Sequence, residues 1–445
     1  MRIKAIGLLL LTAFMLLSAC NSQIDYSPSE DAPAISDINL TPTPPLVAAV
    51  PSPAPTPSLV AAEPTPNPYP VLPGKIAILT REPLSSDRAH IETPWIRELT
   101  NRYGDENILI RTWPWRYRHF TSAAPYTALA NIANNPDIGI LIISHTTYGA
   151  DQIISRLRYQ RDDIFIIYIN DYPSDLWDFD ISNPFQNIHS QAYANLILEF
   201  NVPEMIKLFP QTAYAMGATA MAYFYDSTLE WRWEDGELIK DEHVKSDRHI
   251  LMRQLSEEIG LRFIEVDTYG EMQCGSSTAM YMGEVLPALV ENYGPDIAFY
   301  GLCNWRVLWY AVRSLGTFYL PRYPEWFTPT PINIAHELSL VDWSMHYCDM
   351  YIITAITNAL AELNQLGRVA SLPMKPSSLF HLAAVEYGIR WMNGEALGDE
   401  IDEGALQQIM IDIICNHTGR THGVTLTRDA SNGNYIRVLM DYLIY

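Results

Sequence analysis

Cys20 carries the most specific chemistry in this chain. It closes the run Leu17-Ser18-Ala19-Cys20, in which two small residues precede a thiol. This looks like a bacterial lipobox, where a peptidase cuts before the cysteine and a diacylglyceryl group alkylates the sulfur. A second set of reactive groups is spread along the chain. Thr80, Arg81, Trp113, Ser144, Thr146, Asn170, Asp171, Tyr225, Asp226, Asp267, Tyr269, Asn304 and Trp305 each end or closely follow a short apolar run. Hydroxyls, amides and carboxylates orient a ligand by hydrogen bonds, while Tyr and Trp rings stack on it, so together they suit a polyhydroxylated or heteroaromatic solute. The plainer reading is that polar residues follow strands because loops must satisfy their own backbone.

Bond-making chemistry is poorly represented. Gly275-Ser276-Ser277 lacks the spacing of a nucleophile elbow, and His336-Glu337 lacks a second histidine four residues on. His417 and His422 flank Gly419 in a polar stretch that reads as a surface turn. There is no Gly-Lys-Ser or Gly-Lys-Thr to hold a phosphate chain, and nothing points to a metal or a cofactor. Trp231-Arg232-Trp233 is either a stacking platform or one arm of a hairpin turning at Asp235-Gly236. An enzyme is therefore not expected.

The elements that position these residues begin with an export signal. Arg2 and Lys4 precede an apolar core from Ala5 to Leu17, which is shorter than the about 20 residues that span a bilayer. Residues 1–19 are thus expected to be a lipoprotein signal, and the mature chain to sit on the extracytoplasmic face of a bacterial membrane, anchored to the bilayer through Cys20. Two acyl chains hold stably where one is marginal. Residues 20–73 read as a disordered tether. Asn21 to Pro73 holds 14 of the 31 prolines and few aromatics, too little to build a core. At about 3.1 Å per residue, such a tether reaches on the order of 100 Å. The formal charge of −22 repels phosphate backbones, which excludes nucleic acid as a partner.

From Lys75 onward, near-continuous Ile, Leu and Val runs alternate with helical patterns, as a parallel sheet covered on both faces requires. Strands are expected at Lys75–Thr80, Asn107–Thr112, Gly139–Ser144 and Ile164–Ile169, and again at Ala220–Tyr225, Arg262–Asp267 and Ile297–Leu302. Ser190 to Phe209 reads as a helix. The fold class is α/β, with two doubly wound parallel-sheet lobes over residues 74–190 and 191–340. A mainly helical part, residues 341–445, packs on them and ends in the apolar segment Tyr435 to Tyr445. Cys274, Cys303, Cys348 and Cys415 permit three full disulfide connectivities or none. Cys274 and Cys303 follow strands expected to be neighbours, and the pair is expected near the inter-lobe cleft.

This order resembles the type I periplasmic-binding-protein-like fold, and more narrowly a family of functionally uncharacterised bacterial lipoproteins that share it. The likeness rests on Lys75 to Thr80, on Asn135-Pro136-Asp137-Ile138 leading to Ser144-His145, and on Arg161-Asp162-Asp163-Ile164. It continues in Met216-Gly217-Ala218, Ile259-Gly260-Leu261, and Asn292 to Tyr300 leading to Cys303. It covers about Val71 to Leu340, and the Trp231 to Glu242 segment departs from it. The resemblance implies a small-molecule ligand, sugar- or nucleoside-like, held between the lobes and passed to an ABC-type importer or a sensor. An envelope interaction protein with a degenerate cleft is the alternative. A hydrolase using two carboxylates is a third.

Overall fold

A computed structural model describes residues 70–80, 94–112, 124–144, 150–170, 193–225, 231–234, 237–240, 247–267, 281–300, 305–320, 330–338, 340, 349–396, 400–429 and 432–445, all within the compact unit Pro66–Tyr445. The signal, Cys20 and the tether up to residue 69 lie outside these residues. The chain runs β1 (Lys75–Thr80), α1 (Pro94–Tyr103), β2 (Ile108–Thr112), α2 (Ala124–Ala133), β3 (Ile138–Ser144), α3 (Ala150–Gln160), β4 (Phe165–Asn170) and β5 (Leu196–Phe200). Then come α4 (Val202–Ala215), β6 (Ala220–Tyr225), a hairpin of β7 (Trp231–Glu234) and β8 (Glu237–Lys240), α5 (Asp247–Glu258), β9 (Arg262–Asp267) and α6 (Leu286–Tyr293). β10 (Ile297–Tyr300), α7 (Trp305–Leu315), α8 (Pro331–Glu337) and α9 (Asp349–Glu362) follow. The chain closes with β11 (Ala370–Ser371), α10 (Pro376–Met392), α11 (Glu403–Thr418), β12 (Val424–Asp429), β13 (Asn432–Met440) and β14 (Leu443–Ile444).

Seven strands form the first sheet, in the order β12-β13-β5-β4-β3-β1-β2, parallel except for β12. Its strands read as unbroken apolar runs because both faces are covered. Ile76, Ile78, Ile140 and Ile142 point into a core with Trp95 and Leu99 of α1 and with α10, while Ala77, Leu79, Leu141 and Ile143 meet α2 and α3 on the other face. The starts of β3 and β4 are clamped together by Arg161. Its guanidinium grips Asp163 through two nitrogens and donates to the carbonyls of Asn135 (2.9 Å) and Ile138 (3.0 Å). The Asn-Pro-Asp and Arg-Asp-Asp stretches thus hold the starts of these two strands together.

The second sheet is parallel, in the order β10-β6-β9, and is extended beyond β10 by bridges at Phe318 and Tyr319 to Val369 and the β11–β14 pair. Helices α4 and α5 cover the face bearing Met221 and Tyr223. Helices α6 to α9 cover the face bearing Ala222, Phe224 and Phe299. The chain passes between the sheets three times, at Phe200 to Val202, Ser371 to Pro376 and Met440 to Leu443. One continuous apolar cluster runs through these crossings and joins Phe209 and Tyr223 to Leu372, Phe380 and Val438.

Four expectations are corrected. The strands that precede Cys274 and Cys303, β9 and β10, are not neighbours, because the chain reverses direction across the sheet and β6 lies between them. Ser190 to Phe209 is not one helix: Leu196–Phe200 is strand β5, and α4 starts only at Val202. Asn201 caps α4 and Pro203 stands in its first turn, and a five-residue apolar run before such a start has no period to distinguish strand from helix. The lobe boundaries shift with it, because β5 belongs to the first sheet and residues 341–445 are divided between the lobes. α9 lies on the second lobe, whereas α10, α11, β12 and β13 complete the first. Within the apolar segment Tyr435 to Tyr445, expected in a mainly helical part, Tyr435 to Met440 belongs to strand β13, and the Arg437 charge that interrupts its apolar run is answered by Glu199 in register on β5. Finally, His417 sits in the last turn of α11 rather than in a turn, with Gly419 as the left-handed cap (φ 67°) that only glycine adopts freely. The hairpin at Trp231 is present as read.

Candidate functional site

In each sheet the chain order reverses beside the first strand of its lobe. β1 leads to β2 on one side and then to β3 on the other, and β6 leads to β9 and then to β10. Such switch points open a crevice at the carboxyl ends of the strands. Thr80 and Ser144 end β1 and β3 in the first lobe, and Tyr225 and Tyr300 end β6 and β10 in the second. Tyr442, just past β13, is buried beside Tyr300, and burial together with that neighbouring phenol pushes its hydroxyl well above the ordinary range.

Helix α10 crosses the first sheet antiparallel to β3. Met392 packs on Gly139 at the start of the strand, Gly388 on Ile140, and His381 reaches Ser144 at its end. The α10 N-terminus therefore stands at the crevice. His381 is 1% exposed, and its Nδ1–H donates to the Ser377 carbonyl at 2.6 Å. That leaves Nε2 as acceptor for the Ser144 hydroxyl at 2.5 Å. The Trp95 indole lies flat on the imidazole, 3.8 Å between centroids at 8°. A hydroxyl bonded to a tilted-in imidazole resembles a nucleophile and its base. Here, however, the third member is a backbone carbonyl, and Ser144 is itself only 2% exposed.

A second polar row crosses the opposite face at the same edge. Asn170, Glu199 and Arg437 are register neighbours on β4, β5 and β13. The Asn170 amide donates to Glu199 Oε1 at 2.6 Å, the Tyr435 hydroxyl donates to Oε2, and Arg437 Nε stands 3.6 Å from Oε2. Glu199 is 3% exposed, so its charge depends on these partners. In the second lobe, rings dominate. Tyr223 stacks on Tyr300 (5.3 Å, 15°) and lies against His249 (4.7 Å), while Tyr225 meets His249 edge-on at 5.2 Å. Buried His249 bonds to the Glu265 carboxylate, which Arg253 also grips.

Of the residues expected at the site, Thr80 and Ser144 flank the first switch point, Asn170 belongs to the Glu199 row, and half-buried Tyr225 and Asp267 are register partners at the ends of β6 and β9. Trp305 opens α7. Arg81, Trp113, Thr146, Asp171, Asp226, Tyr269 and Asn304 lie outside the described residues, as do Cys20, Cys274, Cys303 and Cys348. Cys415 is a half-buried free thiol on α11. Sequence reasoning missed Glu199, Tyr300 and His381. The signals present were a lone carboxylate in the apolar run Leu196–Phe200 and a lone imidazole in the apolar helix α10. Among the described residues no group of histidine, cysteine and carboxylate side chains has the arrangement of a metal site.

Among solved structures, that of a candidate transcriptional regulator from Clostridium difficile 630 superposes with a TM-score of 0.64 at 16% identity, over 84% of this chain and 100% of that one. A sugar ABC transporter from Actinomyces odontolyticus ATCC 17982 gives 0.35 at 8% identity, covering 72% and 84%. An ABC transporter solute binding protein from Agrobacterium vitis, bound with alpha-D-tagatopyranose, gives 0.33 at 10% identity, covering 74% and 92%. The first establishes the shared fold, and the two looser likenesses add nothing to it. No curated protein matches the chain. Two doubly wound lobes joined by three crossings are the type I periplasmic-binding-protein-like fold, and residues 75–369 match the family described as protein of unknown function (DUF3798), to which this chain belongs.

Proposed function

We propose that this protein is a lipid-anchored, extracytoplasmic solute-binding protein that holds a small sugar- or nucleoside-like molecule between its lobes and presents it to an ABC-type importer or a sensor. The observation that carries this reading is the pairing of the two switch points. Hydroxyl-bearing Thr80 and Ser144 stand on one lobe and the Tyr223, Tyr225 and Tyr300 rings on the other. Polar groups fix the orientation of a hydroxylated ligand, and rings supply its apolar contact at small entropic cost. The Leu17 to Cys20 run and the proline-rich stretch after it supply the anchor and the reach.

The role is capture without turnover. The Ser144 hydroxyl commits its proton to His381 under a tryptophan ring and keeps its lone pairs for a ligand hydroxyl, while a backbone carbonyl, not a carboxylate, holds the far side of the imidazole. A thermal-shift screen of sugars, nucleosides and related metabolites on the chain starting at Pro70 tests the reading. It should find a compound that raises Tm in proportion to ln(1 + [L]/Kd) and is recovered unchanged. A compound consumed during the assay would favour a hydrolase. A library without a single stabilising member would leave an interaction protein as the better account.

A further inference from the structure

Helix α10 starts with Lys375-Pro376-Ser377-Ser378. Every helix leaves its first peptide N–H groups without a carbonyl one turn back, and a Ser, Thr, Asp or Asn before the first turn ordinarily accepts from them. Here the capping position holds Lys375, a donor, and its side chain makes no capping bond. The N–H groups of Ser377 and Ser378 thus receive no oxygen from the cap. Their hydroxyls share the condition: Ser377 and Ser378 are each 4% exposed, and neither Oγ has a partner.

These serines share one side of the helix with His381. They lie four and three residues before His381, on the helix face that His381 uses to reach Ser144. One turn nearer the start of α10 than His381, they belong to the end of the helix that reaches Ser144, the last residue of β3. The Trp95 indole Nε1, on the ring stacked over His381, is also fully buried and without a partner. Three buried polar side-chain atoms left unpaired around one helix start are costly unless something binds them. What satisfies hydroxyls and N–H groups at a positive helix end is an oxyanion.

We infer that the solute carries an oxyanion, a carboxylate or a phosphate, and that it is received by the α10 N-terminus through the N–H and hydroxyl groups of Ser377 and Ser378. This rests on the solute-binding reading and narrows its ligand class from neutral sugars or nucleosides to acidic or phosphorylated ones. The acidic charge of the whole chain does not oppose it, because a helix dipole and two hydroxyls at contact distance act locally whereas distant surface carboxylates are screened within about 8 Å at physiological salt.

The test uses the full-length protein in detergent, at an ionic strength held constant with chloride. The probes are D-glucose, D-glucuronate and D-glucose 6-phosphate, with inorganic phosphate as the smallest oxyanion. Glucuronate or glucose 6-phosphate is expected to bind at least tenfold more tightly than glucose, and the arm that binds tells carboxylate from phosphate. In Ser377→Ala/Ser378→Ala that preference should vanish. The ligand-free Tm should hold or rise, since two unpaired buried hydroxyls are removed. Ser378→Asp, which places a fixed carboxylate at the helix start, should also bind no anion while its far-UV circular dichroism stays that of the wild type. Equal affinity for glucose and its anionic counterparts, or undiminished anion binding by the double alanine variant, overturns the inference and leaves the solute-binding reading intact. No response to any of the probes overturns it as well, and the metabolite library then decides the wider reading separately.

Discussion

Gly388 tests how closely α10 lies on the first sheet, because that approach is what brings the helix start to the crevice. A Cβ placed on Gly388 would meet Ile140 Cδ1 at 2.7 Å, Cγ1 at 3.2 Å and Cγ2 at 3.3 Å, and Ile140 is itself fully buried. In an exposed helix, glycine to alanine gains about 1 kcal/mol. Here the gain is opposed by overpacking of a filled core, at about 1–3 kcal/mol. Gly388→Ala should therefore be neutral to about 2 kcal/mol destabilising. Ile140→Val alone removes Cδ1 and should cost about 0.5–1.5 kcal/mol. In the double variant the 2.7 Å contact is gone, so the alanine keeps its helical gain at little steric cost. A double-mutant cycle should return about 1–2 kcal/mol of favourable coupling, read from urea midpoints at unchanged m. Gly388→Ala more stable than wild type by about 1 kcal/mol, or a cycle additive within about 0.5 kcal/mol, would refute the close docking of α10 on β3.

Three other outcomes follow. Tyr435→Phe withdraws a hydroxyl from buried Glu199 and should cost about 1.5–3 kcal/mol in the same urea assay, where a change under 0.5 would mean that Arg437 and Asn170 suffice. Burial raises the Glu98 carboxyl, but the hydrogen bond and charge of His417 and the charge of Arg102 outweigh it, so Glu98 titrates below the ordinary range. A depressed acid contributes stability that is present above its unfolded pKa of about 4.3 and is lost as pH falls through the folded value, so Tm should fall in that acid window and fall less steeply in Glu98→Gln. Cys20→Ser should lose all metabolic labelling with a fatty acid, and equal labelling of the variant would end the lipid-anchor reading.

The fold was legible where burial on both faces imposes its own pattern. β1, β3 and β4 are unbroken apolar runs, and their ends correctly located Thr80, Ser144 and Asn170 at the sheet edge. β5 was not legible, since five residues give no period, and neither was β13, where the charge that breaks the alternation is paired with a residue on another strand. The same physics hid half of the site. Ser144 meets His381 across 237 positions and Glu199 meets Tyr435 across 236, and contacts so distant leave no local signature in either segment. A buried histidine or glutamate in an apolar run shows only that a partner exists, without saying where. The C-terminal return to the first lobe, which supplies α10 and most of these partners, therefore had to be seen in three dimensions.

Native mass spectrometry of the protein purified from its own host, under conditions that keep weak ligands bound, tests the central claim most directly. The account predicts one small polar solute per chain, lost when Ser144→Tyr fills the crevice between β1 and β3 and retained when an exposed residue such as Tyr159 is changed to Ser. A chain that carries no solute and takes up none from a metabolite extract, or a solute still bound at full stoichiometry by Ser144→Tyr, would contradict it.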